Sequence, residues 1–139
     1  MDIRKNKKLM LAVALVIFLN MTSCSTYDEG PAFSLRTKKA RLTNGEWEVV
    51  KIAKESLDDG SIVMEFEKDG DFEITVEYSY YGYYSFDYTA TGEWEWEDGK
   101  EVIEIDMDGS QMEWKIKKLT NDELWFEDED DDLWECEKK

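Results

Sequence analysis

The chain of 139 residues has no histidine, one proline, two cysteines and half as many basic as acidic side chains. Without histidine there is no Ser-His or Cys-His pair and no imidazole to hold a metal. Neither a Gly-x-Ser-x-Gly turn nor a phosphate-binding glycine loop occurs. Carboxylates are so numerous that some pair falls at glycosidase separation by chance, so no catalytic residue stands out and no enzyme is expected. Asp106-Met107-Asp108-Gly109 starts like a calcium loop but lacks the ligand series and the closing glutamate. The run EDEDDD at 127–132 reads as a solvated turn, and no cofactor or metal is expected. Long apolar runs are also missing. The longest, residues 9–19, is about half of what a membrane-spanning helix needs.

Charge excludes further classes. Of 17 basic and 34 acidic side chains, four basic and one acidic lie in the first 24 residues, which leaves the remainder at −20. Such a balance opposes nucleic acid and repels anionic head groups, so a partner chosen by charge is basic. The short apolar run follows Arg4, Lys5, Lys7 and Lys8 and precedes Thr22 and Ser23, the layout of a secretory signal peptide.

Met21-Thr22-Ser23-Cys24 resembles the lipobox of bacterial lipoproteins, with methionine in place of the usual leucine. The resemblance implies that the Cys24 thiol receives a diacylglyceryl group, that the chain is cut before it, and that the new amine is acylated. Three acyl chains hold such a protein on the membrane almost irreversibly. Ser25 rather than aspartate after the cysteine implies the outer membrane, and Asp28-Glu29 resembles the acidic tag of surface-exported lipoproteins. The expected location is thus the outer membrane, on its periplasmic or cell-surface face. Cys136 then has no disulfide partner and is expected to be a small buried apolar residue. Three parts follow: a signal peptide at 1–23, the lipidated cysteine with a flexible tether at 24–41, and a folded domain at 42–139.

Period-two alternation fills that domain. Ile62, Met64 and Phe66 alternate with Val63, Glu65 and Glu67, and Trp94 and Trp96 lie between Glu93, Glu95 and Glu97. About eight strands are expected, at 46–53, 62–68, 71–80, 84–97, 101–107, 111–118, 123–128 and 132–138. Matching apolar faces across each hairpin sets the loops. A three-residue loop at 68–70 pairs Phe66 with Phe72 and puts Gly70 in a left-handed position. Gly99-Lys100 pairs Trp96 with Ile103. Gly109-Ser110 pairs Met107 with Met112 and Ile105 with Trp114, both as type II′ turns. Leu119-Thr120-Asn121 closes the next hairpin with Asn121 left-handed, and the last register stays open. The expected fold is all-β, a single antiparallel up-and-down β-barrel, since closure removes exposed edges.

Asn44-Gly45-Glu46-Trp47 opens the first strand as lipocalins open theirs. With "MEFEKDGDF", "TGEWEWEDGKEVIEI" and "WKIKKLTNDELWF", it resembles the small lipocalin-like domains of bacterial surface lipoproteins. The resemblance implies that Trp47 closes the barrel floor and that a small apolar molecule is bound. The late arginine that covers the floor tryptophan in that family has no obvious counterpart here. The registers send Trp47, Phe66, Phe72, Trp94, Trp96 and Trp114 to one face together with Tyr78, Tyr80, Tyr84, Phe86 and Tyr88. That aromatic volume is enough to fill an eight-stranded barrel. The tyrosines around Gly82 read either as a mouth for an apolar or aromatic ligand, as a platform for sugar, or as a hairpin with its hydroxyls in water. Two functions are therefore expected of this lipid-anchored protein. One is binding of a small apolar or aromatic ligand. The other is capture of a basic protein or peptide by an acidic module, as inhibitor-type lipoproteins do. An open or a filled interior separates them.

Overall fold

The computed structural model describes residues 36–80, 84–97 and 99–139, and the Tyr80 side chain is outside the description. A short helix, α1 (Lys38–Leu42), precedes nine strands. They are β1 (Glu46–Ile52), β2 (Glu55–Ser56), β3 (Gly60–Phe66), β4 (Asp71–Tyr80), β5 (Tyr84–Glu97), β6 (Val102–Met107), β7 (Ser110–Leu119), β8 (Glu123–Glu127) and β9 (Leu133–Lys138). All neighbours are antiparallel, and β9 returns to pair with β1. β2 pairs only with the end of β1, so eight strands close the barrel.

Alternation along the strands becomes an inside and an outside. In β7 Trp114 and Ile116 point inward while Lys115 and Lys117 are exposed. A bulge between Ile116 and Lys118 then shifts the phase, so Leu119 is buried three residues after Ile116. That shift settles the last register. Ile116 faces Phe126 and Leu119 faces Leu124, while Phe126 faces Trp134. Leu124 and Phe126 are fully buried, and Trp125 turns outward under the Lys118 ammonium, 4.4 Å from its ring centre.

The interior is filled. Trp47, Phe66, Phe72 and Phe126 are fully buried, with Trp94 and Trp114 nearly so. Phe66 and Phe72, cross-strand partners, lie 5.0 Å apart. Trp114 stacks on Phe126 at 4.3 Å, and Trp94 meets Phe66 edge-on at 5.7 Å. Fully burying each such ring contributes about 1.5–3 kcal/mol from area alone. Cys136 is a free, buried thiol in this core, as expected of it.

Three turn assignments need correcting. The loop at 68–70 is as expected, with Gly70 at φ 107° and Glu67 N–H donating to the Asp71 carbonyl. The β6–β7 hairpin instead turns at Asp108-Gly109. Both residues have positive φ, a type I′ geometry, so Ile105 faces Met112 and Ile103 faces Trp114. Gly99 and Lys100 likewise both have positive φ, which excludes type II′, although Trp96 does pair with Ile103. Asn121 is not left-handed. Thr120 shapes that turn instead, its hydroxyl accepting from the amides of Asp122 and Glu123.

α1 starts inside the segment read as tether. Thr37 caps it, accepting from the Ala40 amide at 3.1 Å, and Arg41 and Leu42 are buried. The helix places Leu42 in the core, so residues 37–41 of that segment carry structure of their own.

Candidate functional site: an aromatic ribbon beyond the barrel

β4 and β5 are longer than the barrel needs. β5 pairs with β4 from Tyr84 to Glu93 but with β6 only from Glu93 to Glu97. Gly92 stands where β5 reaches the barrel, and a Cβ there would lie 2.3 Å from the Asp106 carbonyl oxygen. No other residue fits so close a crossing. Before Gly92 the β4–β5 hairpin runs on as a ribbon beside β3.

One face of this ribbon is aromatic. Tyr78, Tyr84, Phe86 and Tyr88 are 45–77% exposed, and the rings of Phe86 and Tyr88 lie parallel at 6.5 Å. They share the face of Phe72 and Ile74 by parity, but not its burial. Their assignment to the barrel interior is thus corrected: period two specifies a face, and the six-residue β6 ends before it can cover them. Tyr80 pairs with Tyr84 through the backbone. Tyr81, Gly82 and Tyr83, the centre of the expected mouth, lie outside the described residues, as does Cys24.

The opposite face is polar. The Thr75 and Thr89 hydroxyls are 3.0 Å apart, Ser79 faces Ser85, and Glu77 faces Asp87. Like charges set directly opposite destabilise a sheet; the Ser61 hydroxyl donates to Glu77 at 3.4 Å but leaves its charge, so a cation would complement Glu77 and Asp87. Between Asp69 and Gly99 the chain has nine acidic and no basic side chains. A surface concavity of about 680 Å³ joins both kinds of residue, lined by Asp58, Asp59 and Glu77 with Tyr78, Phe86 and Asp87.

Trp47 is fully buried. Its indole N–H donates to the Leu42 carbonyl at 2.8 Å, which ties the end of α1 to β1 within the core. Lys138 is the residue that sequence reading missed. Its ammonium lies 4.8 Å from the centre of the Trp47 ring. Burial, with Arg36 nearby, lowers the Lys138 pKa. A cation at the end of the last strand was the available signal.

The acidic clusters divide by role. Asp128 makes its own turn, accepting from the Asp130 and Asp132 amides at 3.0 Å and from the Trp134 indole at 2.8 Å. The EDEDDD run is therefore a structural loop. Glu67, Asp69 and Asp71 converge on the surface, and Asp69 foremost raises the Glu67 pKa.

Compared with known proteins, the chain matches no family model and no curated relative. The fold alone defines the class: an all-β closed barrel of eight antiparallel strands in lipocalin-like, up-and-down order. Its distinguishing features are a filled interior and a ribbon that carries aromatic rings outside it.

Proposed function

We propose that the protein is a lipid-anchored outer-membrane lipoprotein, held through Cys24, that captures a basic protein or peptide on the β4–β5 ribbon. The observation that carries this reading is the position of the aromatics. Among the described residues, Phe66, Phe72, Trp94 and Trp114 fill the barrel, whereas Tyr78, Tyr84, Phe86 and Tyr88 stand exposed in an acidic surface. Exposed aromatic patches beside uncompensated charge are features of interaction surfaces.

Titration calorimetry of the purified protein against a basic protein such as lysozyme tests it. Binding at low salt, weakened by salt and by Tyr84→Ala with Phe86→Ala, is the expected result. Heat that the two alanines leave unchanged would remove the ribbon from consideration. The anchor is tested separately: Cys24→Ala should release the protein from the membrane fraction and abolish labelling by a fatty-acid probe.

A second reading has its own support. The concavity beside Tyr78 and Phe86 falls within the size range of small-molecule sites. A small aromatic or apolar ligand would bind there, outside the barrel. A discrete adduct in native mass spectrometry, lost in Phe86→Ala, would favour it.

A further inference from the structure

The open edge of β5 specifies how a partner meets the ribbon. Antiparallel ladders send the backbone groups of alternate residues to opposite sides of a strand. Glu67 N–H donates to the Asp71 carbonyl and Trp94 N–H to the Gly70 carbonyl, which sets the phase. Even-numbered residues of β5 bond back to β4. Ser85, Asp87, Thr89 and Thr91 therefore turn their amides and carbonyls away from it. Among the described residues no strand pairs with them, because β6 joins β5 only from Glu93 onward.

Residues 84–89 and Thr91 are exposed. An edge of this length is a template for another strand. Natural edges are commonly blocked by lysine, proline or a bulge; the β5 edge has neither residue, and its pairing with β4 is regular.

We propose that β5 is a strand acceptor, and that an extended segment of a basic polypeptide adds to its outer edge as a further strand. This rests on the ribbon being the binding surface. Backbone bonds from the four outward residues would supply affinity, and alternate side chains the selectivity. On one face, lysine or arginine of the incoming strand would lie beside Asp87, which Glu77 faces across the ladder. On the other, apolar side chains would extend the stacked Phe86 and Tyr88. A second copy of this chain fits poorly, because β5 against β5 would bring one base-free acidic ribbon against another.

The test uses a peptide of about ten residues, the length of a long strand, alternating lysine and valine. Its affinity is measured by fluorescence anisotropy for the wild type, Thr89→Pro, Thr89→Val, and Tyr84→Ala with Phe86→Ala. Proline at 89 removes an outward amide and spares the bonds to β4. Valine loses the same hydroxyl contact to Thr75 but keeps the amide, so it is the matched control. Thr89→Pro should bind about tenfold more weakly, and Thr89→Val within about twofold of wild type.

Equal binding by the proline and valine variants would overturn strand addition. If the aromatic variant alone loses affinity, the ribbon remains the binding surface and only the mode is wrong. If every variant binds like wild type, the ribbon reading fails too. A peptide-free dimer in sedimentation that Thr89→Pro dissolves would place a second copy on the edge and overturn the proposal. Should Thr89→Pro not fold, the same peptide N-methylated at alternate amides is offered to the wild type. A tenfold loss supports the proposal and undiminished binding overturns it.

Discussion

At the residue scale, Cys136 shows how burial can be read as a titration. The thiol ionises near pH 9.0 in ordinary surroundings, and burial, with Glu135 nearby, pushes its pKa well above that. Because the folded value is the higher one, the thiol's contribution to stability is complete below about pH 9 and declines as pH rises further. Wild type should therefore lose denaturation midpoint above that pH faster than Cys136→Ala, and the two curves should run parallel at neutral pH. Parallel curves throughout would mean that the thiol reaches water. Cys136→Ala itself should cost about 1–2 kcal/mol at pH 7, the scale of a small core cavity. Trp47 invites a sharper substitution. Trp47→Phe keeps an aromatic ring but leaves the Leu42 carbonyl without its donor, and a loss of about 2–3 kcal/mol is expected in urea unfolding. The two positions differed in legibility. Trp47 stood out through its Gly-x-Trp setting, whereas Lys138 ends a charged tail whose register only the β1–β9 pairing supplies.

At the element scale, two glycines separate conformational from steric need. Gly109 has φ 81° and nothing within 4 Å of where a Cβ would stand, so Gly109→Ala should cost only the left-handed penalty, about 1 kcal/mol. Gly92 needs no unusual φ, but its Cβ would strike the Asp106 backbone where β5 joins β6. Gly92→Ala should cost about 3 kcal/mol, the upper range for forcing extra volume into a packed place. Thermal melts of the two variants check the order, and a Gly109→Ala loss as large as that of Gly92→Ala would refute it. The barrel strands were legible to within two residues at each end, since short Asp-Gly punctuation and period-two alternation agree along the chain, whereas the two-residue β2 was not. The turn after β6 was not. Moving the loop from Gly109-Ser110 to Asp108-Gly109 shifts the partners by two residues and leaves every side chain on the same face. Face matching is blind to such a slip. The β7 bulge was equally hidden, and it alone reconciles Ile116, Leu119, Leu124 and Phe126 with one interior.

At the scale of the whole molecule, closure followed from strand number and the aversion to open edges, but the length of the ribbon did not. Nothing in the alternation of 71–97 marks Gly92 as the point where one neighbouring strand departs. The net charge has a consequence that can be measured without any partner. Acidic residues sit directly opposite each other across several strands: Glu95 faces Glu104, Glu104 faces Glu113, and Glu93 faces Asp106. Against them stand a few surface ion pairs, among them Lys117 with Glu127 and Lys118 with Glu123, both at 2.7 Å. Exposed pairs contribute about 0–1 kcal/mol each, whereas the repulsion is shared by the whole surface at a net charge of −17. Salt weakens both, so the sign of its effect on stability tells which is larger. Repulsion should dominate, and the melting temperature should rise as sodium chloride goes from about 0.05 to about 0.5 M, where screening acts over only a few ångströms. Lowering the pH toward 4.5 should stabilise in the same sense at Glu67. Its folded pKa is raised above 4.5, so its contribution is complete below that value and is lost as the pH climbs. A melting temperature that falls with salt would show instead that the ion pairs outweigh the acidic rows. The uncompensated charge on which capture of a basic partner depends would then be already neutralised within the chain.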